Sequence, residues 1–395
     1  MSKQFAIISS LILAISLFLT ACNGSTAKQE QASAPDSAGN GKPQTITFYT
    51  VSGKDEYFKD ILIPMFEKEM KGKYKVEYGR GTPQEILNKI KAQGKNGNID
   101  IVAAGMDAMP LGIQQGLWEQ LYPAYEKELP QDNLTDIAKQ YIEKYQGYGI
   151  VDSGTSGPVL AYNSKTVKNP PKSYAELKDW IKENPGKFMY AAVPNSGTGR
   201  AFFLGLASAM GEDPNSPEQL TKTWNYLEEI SPHISSYPSS TSDTFTFLTD
   251  GTVDIIPHTP FWYARSMMEA SLPSHIKTVE LEDSKQFMDA SFLVMLKDLP
   301  KERKEAALEF LKYSMKKEPQ SQAMSVGQVP ANKEAAEKLI DPKYKANFDA
   351  VSDALPKEYK EDGRFTGGDD VLMYPDIEPI TKIYKLWEEK IQSKK

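Results

Sequence analysis

Val193-Pro194-Asn195-Ser196-Gly197-Thr198-Gly199-Arg200 is the stretch on which the reading of this chain turns. A short extended run, Lys187 to Val193, leads into it, and an apolar segment with helical character, Phe202 to Met210, leads away. That order predicts a strand, a glycine-rich turn and a helix start. The first amides of a helix carry partial positive charge, and glycine lets a ligand approach the backbone, so such a turn can hold an anionic or strongly polar group. The same residues would also serve as a plain strand-to-helix connection capped by Ser196 or Thr198. The surrounding sequence has to decide.

Working outward, Pro217 to Ile230 reads as a helix and Ser235 to Ser242 as a serine-rich loop. Val253-Asp254-Ile255-Ile256 reads as a buried strand running into His258-Thr259-Pro260-Phe261-Trp262. On the N-terminal side, Ser173 and Glu176 form a capping box for a helix through Trp180, which Gly186 stops. Farther back, Thr45 to Thr50 and Tyr74 to Tyr78 are β-rich, and Ile99 to Ala104 is a strand buried on both faces. Pro83 to Gln93 has helical periodicity with Ile86, Leu87 and Ile90 inward. Tyr57 to Phe66 is also helical in spacing, with Pro64 marking a kink or a restart. Strands alternating with helices predict an α/β fold with mostly parallel sheets flanked by helices. In such sheets ligands sit at the carboxyl ends of strands. Ser52-Gly53 and Gly105-Met106-Asp107 occupy those ends in the first half, Ser196 to Arg200 and His258 to Trp262 in the second.

Between the halves, Tyr148 to Val151 and Pro158 to Asn163 flank the small-residue linker Asp152 to Gly157, either as a hairpin or as a crossing between lobes. Past the strand-like run Ser291 to Leu296, Lys301 to Met315 is a helix with Ala306, Ala307, Phe310, Leu311 and Ser314 on its buried face. The chain is then mainly helical to Gln392.

At 395 residues, 40% hydrophobic and 25% charged, the chain has globular composition and can bury a sizeable core. Its first residues are a separate matter. Lys3 precedes an apolar run, Phe5 to Leu19, that is short for a bilayer crossing and ends in Leu19-Thr20-Ala21-Cys22. Charge, apolar core and small residues in that order predict a signal peptide over 1–21. Cys22 is the only cysteine, so it has no intrachain disulfide partner. Residues 22–43 are mostly small and polar, a composition too poor in apolar side chains to fold, and predict a flexible tether. Removal of residues 1–21 takes away Lys3 and moves the formal charge from −7 to −8. An acidic exported chain with no basic block is a poor partner for nucleic acid.

The individual side chains point several ways. Asp55, Glu56, Asp107 and Asp152 offer carboxylates to a cationic solute, or act as surface caps. Trp262 offers a ring for stacking, or anchors the helix through Met268. Arg200 at a helix start opposes the dipole unless it faces an acid or an anion, which favours a solute with a carboxylate or phosphate. His233, His258 and His275 share no metal-ligand spacing, and no metal or other cofactor is expected. Ser196 to Gly199 is not a Gly-x-Ser-x-Gly elbow and no Gly-Lys-Ser phosphate loop occurs, so the chain is not expected to be an enzyme.

With these residues in view, the chain resembles the bacterial extracellular solute-binding proteins of family 1, the capture subunits of ABC importers. It is most similar to the branch of polyamine, thiamine and ferric-ion binders. The likeness is carried by Asn98 to Ala104 followed by Gly116-Leu117-Trp118, by the Tyr148-to-Asn163 segment with Pro170 to Leu177 behind it, and by Glu305 to Asn332 with its Gln328-Val329-Pro330-Ala331-Asn332 end. Leu19 to Cys22 resembles a lipobox, which implies lipid attachment at Cys22 and anchoring outside the cell membrane. The resemblance implies a two-lobed type II periplasmic-binding-protein fold with a hinge, monomeric and closing on one small solute for a membrane permease. Lobe one would comprise 44–151 and 289–395, lobe two 158–288. The site would draw on Ser52, Gly53, Gly105 and Met106 from the first lobe. Ser196, Gly197, Thr198, Gly199, Arg200, His258, Thr259 and Trp262 would come from the second. Ferric-ion binders of this branch use adjacent tyrosines, and no Tyr-Tyr pair occurs here.

Overall fold

A computed structural model describes residues 42–395 apart from 52–54, 270 and 369. The expected signal segment, Cys22, nearly all of the tether, Ser52 and Gly53 lie outside the described residues.

β1 (Gln44–Val51) buries Ile46 and Phe48 and runs parallel to β2 (Tyr74–Gly81) on one side and β3 (Ile101–Ala104) on the other. Between β1 and β2 the chain forms α1 (Asp55–Tyr57), a π-helical turn Phe58–Leu62 and α2 (Ile63–Glu69). Pro64 stands in the first turn of α2, where its missing N–H is tolerated, so the helix widens and restarts there. α3 (Pro83–Gln93) begins on a reciprocal Thr82–Glu85 capping box and buries Ile86, Leu87 and Ile90. After β3 come α4 (Ala108–Gln114) and α5 (Asp136–Lys144).

β4 (Ile150–Gly157) and β5 (Val159–Asn163) do not pair with each other. They therefore form the crossing, and the hairpin alternative is excluded. α6 (Tyr174–Glu183), α7 (Gly197–Ala209), α8 (Thr221–Ile230), α9 (Thr241–Thr249), β6 (Ile255–His258), α10 (Pro260–Met268) and β7 (Ile276–Val279) follow. Next are β8 (Phe287–Met295), α11 (Lys301–Ser314), α12 (Lys317–Ala323), β9 (Val329–Pro330) and α13 (Lys345–Ala354). The hairpin of β10 (Lys360–Glu361) and β11 (Arg364–Phe365), then β12 (Leu372–Met373) and α14 (Ile377–Lys390), end the chain.

The large sheet has seven strands in the order β2-β1-β3-β8-β4-β9, with β12 beside β8; the small one has the order β6-β5-β7. The α/β class stands, but the sheets are mixed rather than mostly parallel. β8 lies antiparallel between β3 and β4, and β5 lies antiparallel to both β6 and β7. The crossing is the reason. A chain that leaves the large sheet along β4 enters the small one head-on, between strands that arrive from helices, and returns along β8 against β3 and β4.

Three local expectations also shift. Lys187 to Val193 makes one bridge, Phe188 to Ile255, instead of a strand, because its later amides turn elsewhere, Ala192 N–H to the Pro238 carbonyl. The predicted helix from Pro217 divides into a 3₁₀ turn, Pro217–Gln219, and α8. At α6, Ser173 Oγ accepts from Glu176 N–H, but the Glu176 carboxylate accepts from Lys172 N–H, so the box is half formed.

One continuous core runs through both sheets, and a smaller apolar cluster around Ile256, Tyr263 and Ile276 lies on the small sheet. α14 belongs to the small-sheet side. Its fully buried Trp387 donates Nε1–H to the Tyr190 hydroxyl at 3.1 Å and packs edge-on against Tyr237.

Candidate functional site

A cavity of about 880 Å³ opens between the carboxyl ends of β1 and β3 and the starts of α7, α9 and α10, with the carboxyl end of β4 and the first half of β8 as its floor. The size suits a small organic solute.

The α7 start is built from the opening stretch. Ser196 stands at the N-cap in extended conformation, yet its side chain caps no amide. Its hydroxyl lies 2.7 Å from Thr241 Oγ1 and 3.0 Å from Thr198 Oγ1, a triangle of hydroxyls that ties α7 to the first residue of α9. The first α7 amides are thus left without a capping acceptor from Ser196, and two helix N-termini converge on one wall. Gly199 is required by close packing, since a Cβ there would lie 2.2 Å from the Ala191 carbonyl oxygen.

Arg200 is largely buried in the same wall. Its Nη2 is 3.9 Å from Asp289 Oδ2 of β8, its Nη1 donates to the Pro194 carbonyl at 3.4 Å, and its Nε is buried without a partner. Burial opposes the charge, but Tyr384, Asp289, Tyr374 and Asp107 around it hold the guanidinium above its usual range. The residue is a permanent cation with donor capacity to spare.

His258 closes the end of β6. Its Nδ1 accepts the Thr259 N–H at 2.8 Å, which leaves the ring proton on Nε2, and Phe245 of α9 packs edge-on at 4.3 Å. Burial pulls its pKa down to about 4, so the ring is a neutral donor near pH 7. Trp262 lines the cavity half-buried with the Arg265 guanidinium 5.0 Å from its ring centroid, so one face is already taken.

Of the expected site residues, Gly105, Met106, Gly197, Thr198, Arg200, His258, Thr259 and Trp262 all line this cavity. Ser196 and Gly199 stand behind the wall. Thr50 and Val51, just before Ser52 and Gly53, line it from β1. The acids separate. Asp107 lines the cavity and caps α4 by accepting from Ala108 N–H at 3.0 Å. Asp55 is engaged by Arg80 and Tyr78, and Glu56 by Arg265 at 2.7 Å. Asp152 is buried beside Ser153 Oγ, away from the wall.

Comparison with known proteins gives this geometry a family. The sequence profile of the bacterial extracellular solute-binding proteins matches residues 62–350. The chain belongs to that family. A spermidine/putrescine-binding periplasmic protein of Haemophilus influenzae is 28% identical over 242 residues, 60% of this chain and 62% of that one. A maltooligosaccharide ABC transporter solute-binding lipoprotein of Streptococcus pneumoniae is 27% identical over 203 residues, 51% of this chain and 44% of that one. The chain thus matches less than two thirds of the length of these relatives. Among solved structures, an ABC transporter from Clostridium perfringens superposes with a TM-score of 0.67 at 18% identity, over 88% of this chain and 99% of that one. A spermidine/putrescine transporter substrate-binding protein from Streptococcus pneumoniae gives 0.62 at 18% identity, over 89% and 100%. At such identity the likeness is one of fold.

Several wall residues of this solute-binding protein escape a reading by sequence. Thr241, Phe245 and Thr246 come from α9, where a loop was expected through Ser242; the Ser240 cap accepting from Asp243 N–H was the available signal. Thr155 lies in the Asp152-to-Gly157 linker and Gln328 opens the Gln328-to-Asn332 segment, but neither reads as a site residue, and Asp289 and Tyr374 carry no motif; all four reach the cavity through sheet pairing and the path of the C-terminal segment.

Proposed function

We propose that this solute-binding protein is the capture subunit of an ABC importer, holding a small polar organic solute with an anionic group and handing it to a membrane permease without turnover. The observation that carries the reading is the α7 start, uncapped by the Ser196 side chain, beside Arg200, whose buried Nε has no partner and which faces a cavity walled from both sheets. The solute's anion would sit on the α7 amides and Arg200, flanked by the neutral His258 and Thr259. The receptor would work as a monomer, exported by its first 21 residues and anchored through lipid at Cys22.

One observation favours a polyamine instead. Asp107 and Asp289 both line the cavity, and Asp107 has no ion-pair partner among the described residues. A carbohydrate is less well served, because Arg265 occupies one face of the wall tryptophan.

Thermal-shift screening of anionic metabolites, polyamines and sugars separates these classes, since a bound solute raises the melting temperature by mass action. Charge-assisted hydrogen bonds are worth about 1.5 to 3 kcal/mol each, so Arg200→Ala should weaken an anionic solute about tenfold or more. A cationic solute whose affinity ignores Arg200→Ala would defeat the anion assignment.

A further inference from the structure

We propose that the solute carries an ammonium group as well as its anion, and that a row of three side chains across the large sheet, Asp289, Thr155 and Gln328, receives the ammonium end. This rests on the anion reading above and supplies the second half of the site.

The row follows from strand register. Thr155 of β4 pairs with Asp289 of β8, and antiparallel partners in register share one face of a sheet. On the other side of β4, Ser153 pairs with Pro330 and Gly154 with Val329; continuing that register sets Gln328 beside Thr155. Neighbouring strands lie about 4.8 Å apart, so carboxylate, hydroxyl and amide stand side by side on consecutive strands. All three residues line the cavity. Each offers an acceptor oxygen to an N–H donor.

Two further observations give the row a ligand. Gln328 is only 3% exposed and its Oε1 has no hydrogen-bond partner, an arrangement that a bound donor would relieve. The charges of the wall are also segregated. Asp107 and Asp289 stand on the large-sheet side, while the other lining acid among the described residues, Glu269, is held by Arg265 at 2.8 Å. Among the described residues the one lining cation, Arg200, stands with the helix starts on the opposite side. Asp289 and Arg200 meet at 3.9 Å where the two walls join, and a Cβ on Gly197 would lie 3.0 Å from Asp289 Oδ2.

A solute with charge of one sign leaves one wall opposed. A diamine would set an ammonium against Arg200 and the α7 amides. A dicarboxylate would set its second anion against Asp107 and Asp289. A zwitterion with ammonium and anion at opposite ends, such as an ω-aminocarboxylate or aminoalkylphosphonate, meets its complement on both sides.

Calorimetric titration of the purified protein with chain-matched probes tests this: an ω-aminocarboxylate, an aminoalkylphosphonate, the corresponding monocarboxylate, the dicarboxylate and the diamine. One of the two amino-anions should bind about tenfold or more tightly than the three other probes. Asp289→Asn should weaken that amino-anion about tenfold while strengthening the dicarboxylate, because Arg200 loses its acid partner. Gln328→Leu should weaken the amino-anion without helping the dicarboxylate, and it remains informative if Asp289→Asn fails to fold. Equal binding of the monocarboxylate or dicarboxylate would overturn the ammonium site and leave the anion reading standing. Preference for the diamine, or no binding by any probe, would overturn both.

Discussion

His258 ties the stability of the molecule to pH. The ring is 2% exposed, and burial lowers its pKa from the ordinary 6.5 to about 4. Below 6.5 the unfolded chain takes up a proton that the folded chain refuses until about pH 4, so stability falls as pH falls through that window. With those two values, the folded state loses about 2 kcal/mol by pH 5 and about 3 kcal/mol by pH 4 relative to pH 7. Carboxylates titrate in the same range, so the comparison must be internal. His258→Asn keeps an acceptor for the Thr259 N–H and removes the titration. Urea unfolding of both proteins at pH 7, 5 and 4 should show the parent losing about 3 kcal/mol more than the variant across the series. Parallel curves would refute the argument, and would mean that the ring is protonated or solvated in the native state.

Three other perturbations have defined outcomes. Asp100 is 2% exposed, and Arg303 reaches it at 2.6 Å while also donating to the Gly97 and Ile99 carbonyls, so Arg303→Met should cost about 3 kcal/mol in urea unfolding. Gly199→Ala puts a methyl 2.2 Å from the Ala191 carbonyl oxygen; α7 must move, and calorimetry should record about 1 to 3 kcal/mol of lost stability together with weaker solute binding. Cys22→Ser should release the protein from the membrane fraction or block its processing, and a variant that fractionates and migrates like the parent would remove the case for a lipid anchor.

What could be read from sequence follows from how local each signal is. Ile101 to Ala104 and the face of α11 through Phe310 and Leu311 were legible because burial period and length agree with one element type. α9 was not: Thr241, Ser242, Thr244, Thr246 and Thr249 are poor helix formers, and tertiary packing on β6 overrides their propensity. The antiparallel course of β5 and β8 depends on where the chain re-enters each sheet, which periodicity does not encode. The site divides in the same way. Gly105, Ser196 to Arg200 and His258 to Trp262 sit at element ends, where a strand or helix boundary marks them. Thr155, Asp289 and Gln328 come together only through register between strands remote in sequence. Arg200 carried a legible warning, a cation at a helix start, but its acid partner Asp289 lay on a strand of the other sheet.

The order of strands at the crossing has a mechanical consequence. The chain passes between the large and small sheets from β4 to β5, from β7 to β8, and again after β12, where Tyr374 N–H still bonds the Tyr141 hydroxyl while Asp376 N–H reaches Asn215 Oδ1. These passages stand in single file: Gly157 pairs with Phe287, and Phe287 with Leu372. Three supports spread over a surface would brace it like a tripod. Three in a line brace it least against rotation about that line. Rotation about that line is the displacement these passages oppose least, and a pair of probes across the cavity mouth would record it as a single distance.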